Sequence, residues 1–191
     1  MKVIGITGAI GCGKTTFANM IKKMGYEVFD ADKEVARIYE NDNFLQLLKS
    51  VFPRVITKQG VDKKLLRKIV FSNQQELLKL EDIIEPFLHQ IFVHKINETA
   101  DKKGVMFIDA VLLFEKGWNH FCKQVICVMV DPEIQKNRVM ARDHITEEEF
   151  YKIYNLQMNN ELKCKMSDIV VDTNCSLEEL EKKAKEVLRN I

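Results

Sequence analysis

Gly5-Ile6-Thr7-Gly8-Ala9-Ile10-Gly11-Cys12-Gly13-Lys14-Thr15-Thr16, GITGAIGCGKTT, puts four glycines into twelve residues and sets a lysine and two threonines directly behind the last. Upstream, Val3-Ile4-Gly5-Ile6-Thr7 is a short apolar, β-branched run, the pattern of a strand buried on both faces. Downstream, Phe17, Ala18, Met20, Ile21 and Met24 recur at helical spacing until Gly25 interrupts them. The glycines therefore join a strand to a helix. Gly8-x-x-x-x-Gly13-Lys14-Thr15 matches the Walker A pattern at every fixed position. Bare backbone lets successive N–H groups turn inward onto phosphate oxygens, and the helix N-terminus adds the positive end of its dipole. Lys14, expected on an exposed loop, would reach the β- and γ-phosphates, and the Thr15 hydroxyl would reach Mg²⁺. The alternative is a glycine-rich turn in some other α/β protein.

Composition narrows the setting. At 191 residues the chain is long enough for one domain, 1–191, with a proper core. Its 29 basic and 28 acidic residues leave a net charge of +1, no electrostatic footprint for a nucleic acid or an anionic membrane. Five cysteines (Cys12, Cys122, Cys127, Cys164, Cys175) include no C-x-x-C pair, which favours reduced thiols over a disulfide framework or a zinc site. No apolar stretch approaches membrane-spanning length, so a soluble, cytoplasmic protein is expected. No signature of an oligomeric state stands out.

Along the chain, Glu27-Val28-Phe29-Asp30 is predicted as a second strand leading into Asp30-Ala31-Asp32. Residues 33–104 then carry almost only helical patterns: segments near 33–40, 44–51 and 62–71, and a turn at Thr57-Lys58-Gln59-Gly60. Ser72-Asn73-Gln74-Gln75 has the form of a capping box, and Pro86 is expected in the first turn of a further helix lasting to about Ala100. Val105–Asp109, Gln124–Val130 and Ile169–Val171 restore strands. Thr146-Glu147-Glu148-Glu149 and Ser176-Leu177-Glu178-Glu179 are capping boxes expected to open long helices to about Cys164 and Arg189. Five strands, each followed by helix, predict a mostly parallel α/β sheet flanked by helices, with ligands outside the carboxyl ends of the strands. The Walker loop, Asp30, Asp32 and Asp109 all fall at such ends.

Phosphoryl transfer needs a phosphate cradle, a metal, cations on the transferring group and an acceptor for the hydroxyl proton. Asp32 fits the last role, or else Asp30 or Asp32 simply caps the helix near Lys33. Asp109 fits a Mg²⁺ shell, or else caps a helix over Ala110–Glu115. Gln135, Arg138 and Arg142, at i, i+3 and i+7, share a helix face and form either a phosphate clamp or an ordinary solvated face. Lys63, Lys64, Arg67 and Lys68 form a basic cluster that could meet an acceptor's phosphates, although its pattern alone favours a charged exposed face.

Taken together, IGITGAIGCGKTT, FDADKE, VDKKLLRKIVF, LEDIIEP, IDAVLLFEKG, DPEIQKNRVMARD, the region of Gln157 and SDIVVDTN resemble the dephospho-CoA kinase family over nearly the whole chain. The resemblance implies a P-loop kinase core with a CoA-binding helical insertion over about 33–104 and a lid over about 138–160. It implies transfer of the γ-phosphate of ATP, with Mg²⁺, to the ribose 3′-hydroxyl of dephospho-CoA. Lys14, Asp32 and Arg138 would then be catalytic, with Asp32 the base. Gly11, Cys12, Gly13, Lys14, Thr15, Thr16 and Arg142 would bind the nucleotide, and Thr15 and Asp109 the metal. The chain departs from the family pattern at Lys63 (usually arginine), Glu85 (histidine), Val111 (proline), and near Thr173 and Cys175 (asparagine and glycine); Arg37 also stands one residue late. Two other readings stay open: a P-loop kinase for a nucleoside or nucleotide, and a nucleotide-binding switch without acceptor-dependent turnover.

Overall fold

The opening apolar run is strand β1 (Lys2–Thr7) of the computed structural model, which describes residues 2–99 and 104–191. Among these residues β1 is the central strand of a five-stranded sheet, with β2 (Glu27–Asp30), β5 (Val105–Asp109), β6 (Gln124–Met129) and β7 (Ile169–Asp172). The spatial order is β2-β5-β1-β6-β7, and every pairing is parallel. The alternation of β1 explains its unbroken hydrophobicity. Ile4 and Ile6 join Phe107, Ile126 and Val128 in a core shared with helix α1 (Lys14–Lys23) and helix α9 (Leu177–Arg189). Gly5 belongs to the opposite face, where a Cβ would lie 2.7 Å from Leu113.

Contacts divide the chain into two units, one of Met1–Asp30 with Asp101–Ile191 and one of Ala31–Ala100. In the second, α2 (Ala31–Ile38), α3 (Asp42–Val51) and α4 (Lys63–Ser72) all pack on the long helix α5 (Gln74–Thr99). Phe44 seats the bundle, its ring edge-on to Tyr39 at 5.0 Å and to Phe87 at 5.6 Å. The expected turn at 57–60 is a small hairpin of β3 (Ile56–Thr57) and β4 (Gly60–Val61), too short to leave a strand pattern in sequence.

Four local expectations change. Helix α2 starts at Ala31, directly after β2, so Asp32 stands inside its first turn. Ser72 ends α4 instead of capping the next helix, and Asn73 takes that role by accepting from Gln75 N–H at 2.9 Å. Pro86 lies within the continuous helix α5, with no new helix starting there. The one backbone bond that proline forfeits is outweighed by apolar residues buried on both sides of it, Leu80 and Ile83 before and Leu88 and Phe92 after. The expected end near Ala100 lies outside the described residues. Finally, the helix predicted from Thr146 to about Cys164 is two, α7 (Glu147–Tyr154) and α8 (Asn160–Met166). Asn159 makes the break, its side chain accepting from Glu161 and Leu162 N–H.

Helix α4 is pinned at its start by Asp62, which accepts from Leu65 N–H at 2.9 Å. Asp62→Ala is expected to cost on the order of 1 kcal/mol, seen as a melting temperature lower by roughly 2–4 °C in a thermal unfolding scan.

Candidate active site

Between β1 and α1 the Walker loop crosses the carboxyl edge of the sheet. Gly13 takes φ +85°, immediately before α1, and no side chain caps that helix. Its first N–H groups are therefore directed at the loop's mouth, the arrangement that binds anions. Gly8 is required for a different reason: a Cβ there would lie 2.5 Å from the Val128 carbonyl oxygen. Thr15 and Thr16 are exposed in the first turn of α1.

Lys14 is not exposed, as its place on a loop suggested; it retains 5% of its surface and forms an ion pair with Asp109, itself 2% exposed. The reason is topological, since β5 lies beside β1 and delivers Asp109 opposite Ile6. On its other side β5 pairs with β2, whose Asp30 is in register with Asp109. The alternative reading of Asp109 as a helix cap falls away, because successive turns occupy 111–117.

Side chains distant in sequence fix the remainder of the loop. Ala9 N–H donates to Asn160 Oδ1 at 2.8 Å and Ile10 N–H to Gln157 Oε1 at 3.0 Å. Gln135, on helix α6 (Pro132–Asp143), donates Nε2–H to the Ile10 carbonyl at 2.6 Å. Thr173 donates its hydroxyl to the Cys12 carbonyl at 2.7 Å, and Arg138 in turn reaches Thr173 O at 3.3 Å. Arg138 is thus beside the loop. Arg142 is turned onto Asp143, with Nε and Nη2 each 2.8 Å from a carboxylate oxygen. Cys12 contributes backbone only, because its thiol is buried and burial pushes its pKa up to about 11. Asn160 and Thr173 could not be found from spacing; Gln157 was visible only through the family resemblance, and Gln135 only as a neighbour of the arginines.

The helical unit holds a cleft of about 350 Å³ between α2, α4 and α5. Its polar lining is Asp32, Lys63 and Arg67; Val35, Tyr39, Leu66, Val70 and Phe71 give it an apolar wall. Lys63 stands over the Tyr39 ring at 5.1 Å and Arg67 over the Phe71 ring at 5.4 Å. These cation–π contacts hold both cations at the cleft. The basic pattern that read as plain surface therefore has a concave side.

A five-stranded parallel sheet flanked by helices, with a Walker loop whose lysine meets a carboxylate from the neighbouring strand, is the nucleotide-binding architecture of the P-loop class. The dephospho-CoA kinase family profile matches residues 2–179. A dephospho-CoA kinase of Fusobacterium nucleatum is 36% identical over 191 residues, covering 99% of this chain and 98% of that one. The crystal structure of TT1252 from Thermus thermophilus superposes with a TM-score of 0.85 at 34% identity, covering 100% of this chain and 97% of that one. Dephospho-CoA kinase from Campylobacter jejuni shares the fold, with a TM-score of 0.71 at 23% identity over 100% of this chain and 97% of that one. The chain belongs to the dephospho-CoA kinase family.

Because Lys14 is a buried ion-pair partner, Lys14→Ala is expected to lower stability as well as activity. Removing one member of a buried pair costs about 3–5 kcal/mol, so the melting temperature should fall by roughly 6 °C or more, and ATP-dependent turnover should be lost in a coupled ADP-release assay.

Proposed function

We propose that this protein transfers the γ-phosphoryl group of ATP to the ribose 3′-hydroxyl of dephospho-CoA, giving ADP and coenzyme A. The observation that carries this reading is the cleft of the helical unit, where one carboxylate and two cations edge an apolar wall. Dephospho-CoA has matching parts: a hydroxyl to be deprotonated, an anionic pyrophosphate and a pantetheine arm whose gem-dimethyl and methylene groups can lie on an apolar wall. The insertion of about 33–104 would serve as the acceptor-binding part, and residues of about 138–160 as a lid over ATP.

In this reading the 3′-oxygen bonds to the γ-phosphorus as the bond to the β,γ-bridging oxygen breaks, and the hydroxyl proton passes to the Asp32 carboxylate. Asp32 follows β2 by two residues, and the last residue of β2 is in register with Asp109. The α1 N-terminus would hold the β- and γ-phosphates, and Lys14 would exchange Asp109 for a phosphate oxygen, freeing that carboxylate. Arg138 and Arg142 would exchange Thr173 and Asp143 for phosphate oxygens as charge builds on the transferring group. Mg²⁺, when bound with the nucleotide, neutralises charge on the β- and γ-phosphate oxygens. The Thr15 hydroxyl and the Asp109 carboxylate are hard oxygen donors suited to that ion, which needs only one or two protein ligands when phosphates supply others.

Turnover with dephospho-CoA in a coupled assay tests the assignment, and activity only with a nucleoside or nucleotide acceptor would overturn it. Asp32→Asn keeps the size of the side chain while removing the proton acceptor. Its kcat is expected to fall by about 10²–10⁴-fold, with melting temperature and ATP affinity unchanged; full activity would remove Asp32 from the mechanism.

Arg67→Ala should raise KM for dephospho-CoA by roughly tenfold, the loss of about 1.4 kcal/mol, and leave KM for ATP alone. Steady-state kinetics with each substrate varied in turn checks this split.

A further inference from the structure

Lys163 is a lysine with 0% side-chain exposure, although it stands on the short helix α8 and the mechanism above does not use it. Its ammonium lies 2.9 Å from Glu115 Oε1 and also donates to the Val111 carbonyl. Glu115, 21% exposed, has a second duty: the same Oε1 accepts from the Met158 N–H at 2.9 Å. One carboxylate thus holds residues 158 and 163 together, on either side of the Asn159 cap. The segment between and beside these anchors carries Gln157 and Asn160, the acceptors for the Walker loop N–H groups of Ile10 and Ala9. Val111 closes the circuit, because its carbonyl also accepts from Thr7 Oγ1 at 3.2 Å, one residue before the loop.

A buried ion pair is a poor source of net stability, since desolvating two charges offsets most of their attraction. What it does supply is a fixed geometry. A glycine-rich loop has much backbone freedom to lose when phosphate binds, and affinity rises when that freedom has been removed beforehand. We infer that the Lys163–Glu115 pair is a positioning device for nucleotide binding: it sets residues 157–160 so that Gln157 and Asn160 hold the first half of the Walker loop ready for phosphate. The inference rests on the reading of this loop as an ATP site and deepens it, assigning to Glu115, Lys163, Gln157 and Asn160 a part in nucleotide affinity.

The test is a binding cycle on the full chain, with ATP and Mg²⁺ titrated by calorimetry into Glu115→Ala, Gln157→Ala and the double variant. Each single variant is expected to weaken ATP binding by about tenfold, the worth of one well-made hydrogen bond in a fixed site. The double variant should lose little more than the weaker binder of the two, because both act through the same contact. Glu115→Gln, whose amide oxygen still accepts from Met158 N–H, should recover part of the affinity, and KM for dephospho-CoA should stay within about twofold throughout. Wild-type ATP affinity in Glu115→Ala despite a lower melting temperature would reduce the pair to an ordinary core contact and overturn the inference, as would strictly additive losses. If Glu115→Ala does not fold, Gln157→Ala decides alone: its side chain is half-exposed, and unchanged ATP affinity in it would overturn the inference. Because ATP binding is read directly, inactivity toward dephospho-CoA would strike only the acceptor assignment.

Discussion

The ammonium of Lys14, drawn down from the Walker loop onto the carboxylate of Asp109, ties the loop to the sheet beneath it. Both groups are almost wholly removed from water, so each depends on the other's charge. That pairing relies on β5 lying directly beside β1, and because β5 also pairs in parallel with the edge strand β2, a crossover must join β2 to β5. The helical unit of 31–100 is that connection.

A loop rich in glycine has the backbone freedom to wrap a phosphate and, for the same reason, no conformation of its own to keep. Here that freedom is restrained from outside, by Gln135 from α6, by Gln157 and Asn160 from the entry to α8, and by Thr173 after β7. The restraint also accounts for two departures from the family pattern. At Val111 the atom in use is the backbone carbonyl, which accepts from Thr7 and Lys163 whatever side chain stands there. At Thr173 a hydroxyl reaches the Cys12 carbonyl, and the threonine packs so closely that a Cβ on Gly13 would lie 3.1 Å from its oxygen. Lys63 keeps its charge at the cleft by standing over Tyr39.

The sequence by itself determined the features that depend on near neighbours in the chain. A run such as Val3–Thr7 has the apolar pattern of a strand covered on both faces, and the spacing of Gly8, Gly13, Lys14 and Thr15 by itself marks a phosphate loop. Thr146 and Ser176 announce helix starts because a cap bonds within three residues. Tertiary structure decided whatever depends on packing or on partners far along the chain. Pro86 was accepted within a helix because apolar contacts on both sides outweighed one lost bond, a comparison no local pattern contains. Lys14 was buried because a strand nearly a hundred residues later brought it a carboxylate. Asn160 and Glu115 resemble ordinary surface residues until the fold sets one against the Walker loop and the other against a buried lysine, for hydrogen bonds and ion pairs are formed by distance in space, to which separation along the chain gives no guide.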